Sequence, residues 1–188
     1  MFQKGFLFML ALFLLAGCGT ASLDDTSGDS GDTPLNYRDS EATFITDILT
    51  EGESTRVLVK DIIFGFDEES EIVNDHGESL SVSDLEIGMR VVAESTGPIL
   101  ESYPGQTGAK KITVLTDQES EVEAEVIRLV VADIEEEGLN GFTIVREFKA
   151  TDEGYEIAVD VSSGSEPNRV YTYKTETKEL ELKPDEVE

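Results

Sequence analysis

The chain has 188 residues, of which 41 are acidic and 14 basic, so its formal net charge is −27. That charge repels phosphate backbones, whose neutralisation supplies most nucleic-acid affinity, so a nucleic-acid-binding protein is excluded. With one cysteine, Cys18, and one histidine, His76, the chain has no Cys/His metal cluster and lacks most familiar nucleophilic arrangements. We therefore expect no metal, no cofactor and no catalytic residue. The acidity favours cationic partners, or serves solvation alone.

Residues 1–17 have the pattern of a signal peptide. Met1 to Lys4 form a short basic head, and Phe6 to Leu15 are all apolar. This run is about half as long as the roughly 20 residues that a membrane-spanning helix needs, which indicates a cleaved signal.

The stretch Leu15-Ala16-Gly17-Cys18 resembles the lipobox of bacterial lipoproteins. The resemblance implies that Cys18 receives a diacylglycerol carrying acyl chains such as palmitate, and that cleavage makes it the mature N-terminus. Two or more acyl chains hold a protein stably, so we expect a lipid anchor on the extracytoplasmic face of the cell membrane. The alternative is an ordinary cleaved signal with an incidental cysteine.

The lipidated cysteine and a linker occupy residues 18–40. The linker is rich in Gly, Ser, Thr and Asp and has almost no apolar residue to bury, so it predicts a flexible acidic tether. Its aspartates do not follow the spacing of an EF-hand loop. Whether the acidic surface of the protein holds calcium stays open.

Residues 41–117 are predicted to form a five-stranded OB-like β-barrel. Strands are expected at 43–49, at 56–66 with a bend at Gly65, at 72–73, at 88–94 and at 109–116. A hairpin turn at 74–78, with His76 exposed at its tip, is flanked by 72–73 and by a second strand segment, Leu80-Ser81-Val82. A short helical turn at 83–85 then separates the third and fourth strands, as in OB-like barrels.

A second resemblance covers roughly residues 43–116. The motif S-x-x-D-L-x-x-G-x-x-V begins at Ser81, and the segment GPILESYPGQ follows over 97–106. The barrel resembles the YobA-like family of small secreted and lipoprotein domains of Gram-positive bacteria. The resemblance implies an OB-like barrel of unknown function and transfers no catalytic residue. This chain departs from the pattern in the acidic run 67–71.

The segment just before the last barrel strand is the candidate binding loop, because it lies beside the usual ligand face of an OB-like barrel. Tyr103 would stack on a ligand, Ser102 and Gln106 would form hydrogen bonds with it, and Glu101 would meet a cation. The alternative is a structural loop, with Tyr103 packed on the barrel end and Pro104 making the loop rigid. The candidate residues are Glu101, Ser102, Tyr103, Pro104 and Gln106.

Residues 118–183 are predicted to form a small α+β unit, loosely similar to PepSY-like extracytoplasmic modules. Apolar residues at near-helical spacing predict a helix over 118–137 with Gly138 after its end, although an alternating strand at 122–126 is a rival interpretation. Strands are expected at 142–144, 155–161, 170–173 and 180–182, and a tail at 184–188. The whole chain is thus mainly β with an α+β unit.

We expect a non-enzymatic binding or accessory module on the Gram-positive cell surface, with an extracytoplasmic protein, peptide or wall ligand as partner. One alternative is a carboxylate-dependent cell-wall hydrolase, which would need two suitably spaced acids in a cleft. Another is an inhibitor or chaperone-like module that uses the C-terminal unit.

Overall fold

The computed structural model describes residues 42–139, 141–161 and 169–184, all within one compact unit, Pro34–Glu188. The predictions for the signal peptide, for Cys18, for the linker and for most of the C-terminal tail lie outside the described residues. No helix in the described ranges is long and apolar enough to cross a membrane.

The N-terminal part is a closed five-stranded barrel. Numbered along the chain, the strands are neighbours around the barrel in the order β1-β2-β3-β6-β5, and β5 pairs with β1 to close it. Strands β3 and β6 are parallel, and the other neighbours are antiparallel. A sixth strand, β4, pairs in parallel with the second half of β6. The prediction of an OB-like barrel is confirmed. The strands are β1 (Thr43–Glu51), β2 (Ser54–Val59), β3 (Ile62–Gly65), β4 (Glu71–Asn74), β5 (Arg90–Ser95) and β6 (Gly105–Val114).

The single strand predicted over 56–66 is wrong. The chain turns back at Lys60-Asp61, and β2 pairs with β3 as a hairpin in which Val59 lies opposite Ile62. Lys60 adopts a left-handed backbone conformation, with φ of 61°, which is uncommon for a non-glycine residue. The apolar residues on both sides of Lys60-Asp61 therefore belong to two strands, and the tight turn between them contains no glycine that would indicate it in the sequence.

The turn at 74–78 forms where it was predicted, but the residues after it do not form a strand. Asn74 closes the turn by donating its N–H to the carbonyl of Glu78 at 2.9 Å. Its side-chain oxygen accepts from the N–H groups of His76 and Glu78. Leu80 returns to donate to Ile72, and a 3₁₀ turn follows at Val82–Asp84.

The C-terminal part is one helix on a separate four-stranded antiparallel sheet, ordered β10-β9-β8-β7. This confirms the predicted helix and sheet, and the alternative strand at 122–126 is wrong. β7 is longer than the predicted 142–144. The prediction was too short because the second half of the strand is largely exposed and its charged residues obscure the alternation typical of strands. The elements are α1 (Gln118–Glu136), β7 (Thr143–Ala150), β8 (Gly154–Val161), β9 (Arg169–Lys174) and β10 (Glu179–Leu182).

Helix α1 has clear signals at both ends. The Asp117 side chain accepts hydrogen bonds from the N–H groups of Glu119 and Ser120, which caps the first turn. Gly138, with φ of 73°, follows the C-cap residue Glu137 and ends the helix. The carboxylate of Glu137 would oppose the helix dipole, but it accepts a hydrogen bond from Arg169 at 2.7 Å.

The helix joins the barrel to the sheet. Its apolar stripe, which includes Val126, Ile127 and Val130, packs against the inner face of the sheet, and Phe44 of β1 belongs to the same core. The barrel has a second core of its own, centred on residues such as Ile45 and Ile112. Barrel and sheet therefore share α1 as a common packing surface.

Gly88, just before β5, sets how closely the barrel approaches α1. A Cβ at this position would lie 2.3 Å from the carbonyl oxygen of Ala124 and 2.9 Å from Cγ of Arg128. The residue also has φ of +91°, a conformation that side chains other than glycine rarely adopt. No larger residue fits without moving the helix away from the barrel.

We expect Gly88→Ala to lower the free energy of unfolding by about 2–4 kcal/mol, because it combines overpacking with backbone strain. Urea denaturation followed by circular dichroism measures this loss. Gly97→Ala is the matched control, since a Cβ there meets nothing within 4 Å. Equal stability of the two variants would contradict the proposed close approach.

Candidate functional site

A cleft of about 630 Å³ lies between one end of the barrel and strand β7. This volume is within the range of small-ligand sites. The barrel contributes the start of β1, the β2–β3 hairpin and part of β5, and α1 contributes its first turns. The lining residues include Phe44, Val59, Lys60, Phe64, Arg90, Glu119, Glu123, Arg146, Glu147, Phe148 and Ala150.

Part of the apolar lining of the cleft is aromatic. Phe44 and Phe148 lie with their ring centroids 4.9 Å apart, and Tyr155 lies 5.0 Å beyond Phe148. Tilted ring pairs at such distances attract each other beyond their simple burial. These rings join β1 of the barrel to β7 and β8 of the sheet, and two of them, Phe44 and Phe148, form an apolar wall of the cleft.

A buried ion pair forms another part of the lining. The guanidinium of Arg90 donates a hydrogen bond to the Glu123 carboxylate, and the two side chains are only 13% and 5% exposed. Arg90 also lies 5.7 Å from the centre of the Phe44 ring, a favourable cation–π distance. Its Nε atom is buried and has no hydrogen-bond partner among the described residues. The pair links β5 to α1, and so it fixes the two elements relative to each other where they line the cleft.

Arg146 connects the sheet to the barrel at the cleft mouth. It is the extra residue of a β-bulge, because the register of β7 against β8 shifts between Val145 and Glu147. Bulges turn a side chain out of its normal alternation. Here the guanidinium donates to the Asp160 carboxylate and, at 2.6 Å, to the Tyr103 hydroxyl. The bond to Asp160 is the main cause of the raised pKa of Arg146.

The predicted loop is held together mainly by its own polar groups. Ser102 donates its hydroxyl to the carbonyl of Pro104 at 2.8 Å, and Gln106 donates its amide to Ser102 at 3.4 Å. Pro104 is buried and follows a cis peptide bond, whereas Glu101 is exposed. The structure thus brings Tyr103 to the cleft mouth, while Ser102 and Gln106 form hydrogen bonds within the loop.

The loop also exposes an apolar surface. Ile99, Leu100 and Tyr103 are 47%, 63% and 60% exposed, and together we call them the rim patch. Gly105 allows the Ile99 side chain to pack against the backbone of this loop, because a Cβ at position 105 would lie 2.7 Å from Cγ2 of Ile99. Sequence reasoning selected Tyr103 but missed its two apolar neighbours, although an Ile-Leu pair between a proline and a turn was an available signal.

His76 and the carboxylates form no metal site in the described ranges. No group of three or more His, Cys, Asp or Glu side chains is placed to hold an ion there. The His76 side chain is 73% exposed at the tip of its turn and does not line the cleft. Two of the carboxylates in the cleft, Glu123 and Glu147, form ion pairs with Arg90 and Lys149.

Comparison with known proteins gives one family match. Residues 38–116 match the family described as "Protein of unknown function (DUF3221)". The match covers the barrel and the loop with the rim patch, but less than half of the chain. It leaves out α1 and β7, which form the other side of the cleft. No curated protein and no solved structure matches the chain.

We expect Glu123→Ala to destabilise the protein by about 3–5 kcal/mol, because it leaves the Arg90 charge buried without its partner. The double variant Arg90→Met with Glu123→Leu should recover most of that loss, since it removes both charges. Thermal and urea unfolding measure both effects. Glu94→Ala is the control, because its pair with Lys110 is exposed and contributes about 1 kcal/mol or less. A similar loss for Glu94→Ala and Glu123→Ala would contradict the structural role of the buried pair.

Proposed function

We propose that this protein is a membrane-anchored extracytoplasmic lipoprotein, with a YobA-like barrel, that binds a partner in the cleft without catalysing a reaction. The observation that carries the proposal is the joint construction of the cleft by the barrel, α1 and β7, beside the rim patch. A concave surface that combines apolar side chains with oriented polar groups is the usual form of a binding site. Exposed apolar patches next to such a site are typical of interaction surfaces.

The polar groups in the cleft favour binding over catalysis. Glu123 forms an ion pair with Arg90, and Glu147 forms one with Lys149 at 2.8 Å. A carboxylate that acts as a general acid or base must lie within hydrogen-bond reach of the reacting group. Both of these carboxylates instead direct an oxygen at a cation of the protein itself. These groups therefore suit the shaping of a site better than proton transfer.

The N-terminal sequence supports the proposed location. The apolar run, the lipobox ending at Cys18 and the acidic linker together match a lipid-anchored protein on the outer face of a Gram-positive membrane. A tether of about 22 flexible residues spans roughly 25 Å, which keeps the acidic body away from anionic lipid. The net charge of −27 attracts cationic partners from a distance.

We expect wild-type cells to incorporate labelled palmitate into this protein and Cys18→Ala cells not to do so, because the thiol is the acceptor of the lipid. Labelling followed by immunoprecipitation and intact-mass measurement checks this result. Ser22→Ala, in the neighbouring linker, should be labelled like the wild type. An unlabelled wild-type protein would show that Cys18 is not lipidated.

The binding role is tested by crosslinking in living cells. We expect partners captured by the wild type to be lost from Ile99→Ser/Leu100→Ser/Tyr103→Ala, because this triple change removes the rim patch. Leu182→Ser is the matched control, since Leu182 is an exposed apolar residue of β10 outside the cleft. Partner lists that do not differ between the two variants would contradict a binding role for this surface.

A further inference from the structure

Strand β7 is an edge strand that lies along the cleft. Within the described ranges it pairs only with β8, at the end of the sheet order β10-β9-β8-β7. Its other edge carries backbone N–H and C=O groups that no described strand pairs. Such an edge is a template for another strand, and proteins usually blunt or cover it. Here a cleft runs beside it.

The hairpin geometry shows which backbone groups face the open edge. Thr151 donates its N–H to the carbonyl of Gly154 at 2.8 Å, so these two residues form a hydrogen-bonded pair. Hydrogen-bonded and non-hydrogen-bonded pairs alternate along an antiparallel ladder. Lys149 is therefore bonded to β8, whereas Ala150 and Phe148 direct their backbone groups away from it. Both of these outward-facing residues line the cleft.

We propose that β7 binds its partner by strand addition, with an extended, positively charged peptide segment lying in the cleft as a fifth strand of the sheet. The inference rests on the proposed binding function and specifies its partner. Backbone groups of Phe148 and Ala150 bond to the added strand, which is how sheet edges recognise peptides without reading every side chain. Alternate peptide side chains then meet the apolar wall formed by Phe44 and Phe148.

The charge of the protein determines which kind of peptide segment is favoured at the edge of β7. A net charge of −27 favours a cationic segment over an anionic one. The charged side chains of the lining balance each other, so the preference comes from the field of the whole protein: they are Lys60, Arg90 and Arg146 on one side and Glu119, Glu123 and Glu147 on the other. A second copy of this chain is disfavoured at the same edge, because each copy brings the same large negative charge.

The test uses the full-length lipoprotein in a non-ionic detergent and a blocked synthetic peptide that alternates valine with lysine over the 8-residue length of β7. We expect the peptide to slow amide hydrogen exchange at Phe148 and Ala150 by about tenfold or more, because these N–H groups gain partners. Exchange at Lys149 should change little. A peptide with glutamate in place of lysine should bind at least about tenfold more weakly.

Two variants at one position separate strand addition from other modes of binding. Ala150→Pro removes an outward N–H while leaving the bonds to β8 in place, as proline does on natural edge strands. It should weaken peptide binding about fivefold or more, whereas Ala150→Val, which changes the same side chain but keeps the N–H, should weaken it far less. Titration by fluorescence anisotropy gives both affinities.

Three results would overturn strand addition: equal affinity of Ala150→Pro and Ala150→Val, equal binding of the acidic peptide, or self-association of the protein that Ala150→Pro abolishes. Partner capture that still depends on the rim patch would leave the proposed function standing in each case. Loss of that dependence in the crosslinking experiment would remove the proposed function itself.

Discussion

The close contact between the barrel and helix α1 is the constraint on which the rest of the structure depends. Gly88 brings the barrel backbone against the carbonyl of Ala124, and the buried pair of Arg90 with Glu123 fixes the same two elements a short distance away. The helix also carries the apolar stripe on which the sheet packs. Because one helix serves both neighbours, its position on the barrel sets the position of β7, and with it the width of the cleft.

A second junction ties the mouth of the cleft together. The bulge at Arg146 turns one guanidinium out of the sheet and towards Tyr103 in the barrel loop, with Asp160 holding its other side. A salt bridge to Asp61, at 3.9 Å, extends this contact to the β2–β3 hairpin. The junction is exposed, so it contributes little to stability. Its effect is on position, since the bond from Arg146 holds Tyr103 of the rim patch beside β7.

Charge and shape act at different ranges in this protein. The excess of acidic residues acts over a distance of about the Debye length, where it concentrates cationic partners and repels copies of the same chain. At the surface of the cleft, aromatic rings and backbone groups provide the contacts. The acidic tether and lipid anchor proposed for the N-terminal residues would add reach, so that the molecule would sample a volume around its anchor. The binding function that we propose would benefit from each of these properties.

Local patterns alone determined several features correctly. The helix followed from its apolar period and from Asp117 and Gly138 at its ends, and the barrel class followed from short β-rich segments around one helical turn. These signals are readable because each involves residues close in the chain. The turn at Lys60 was missed because no glycine marks it, and the full length of β7 was missed because charged side chains conceal it. The cleft could not be found from the sequence at all: Tyr103 meets Arg146 and Arg90 meets Glu123 across 43 and 33 residues of chain, so only tertiary packing brings these groups together.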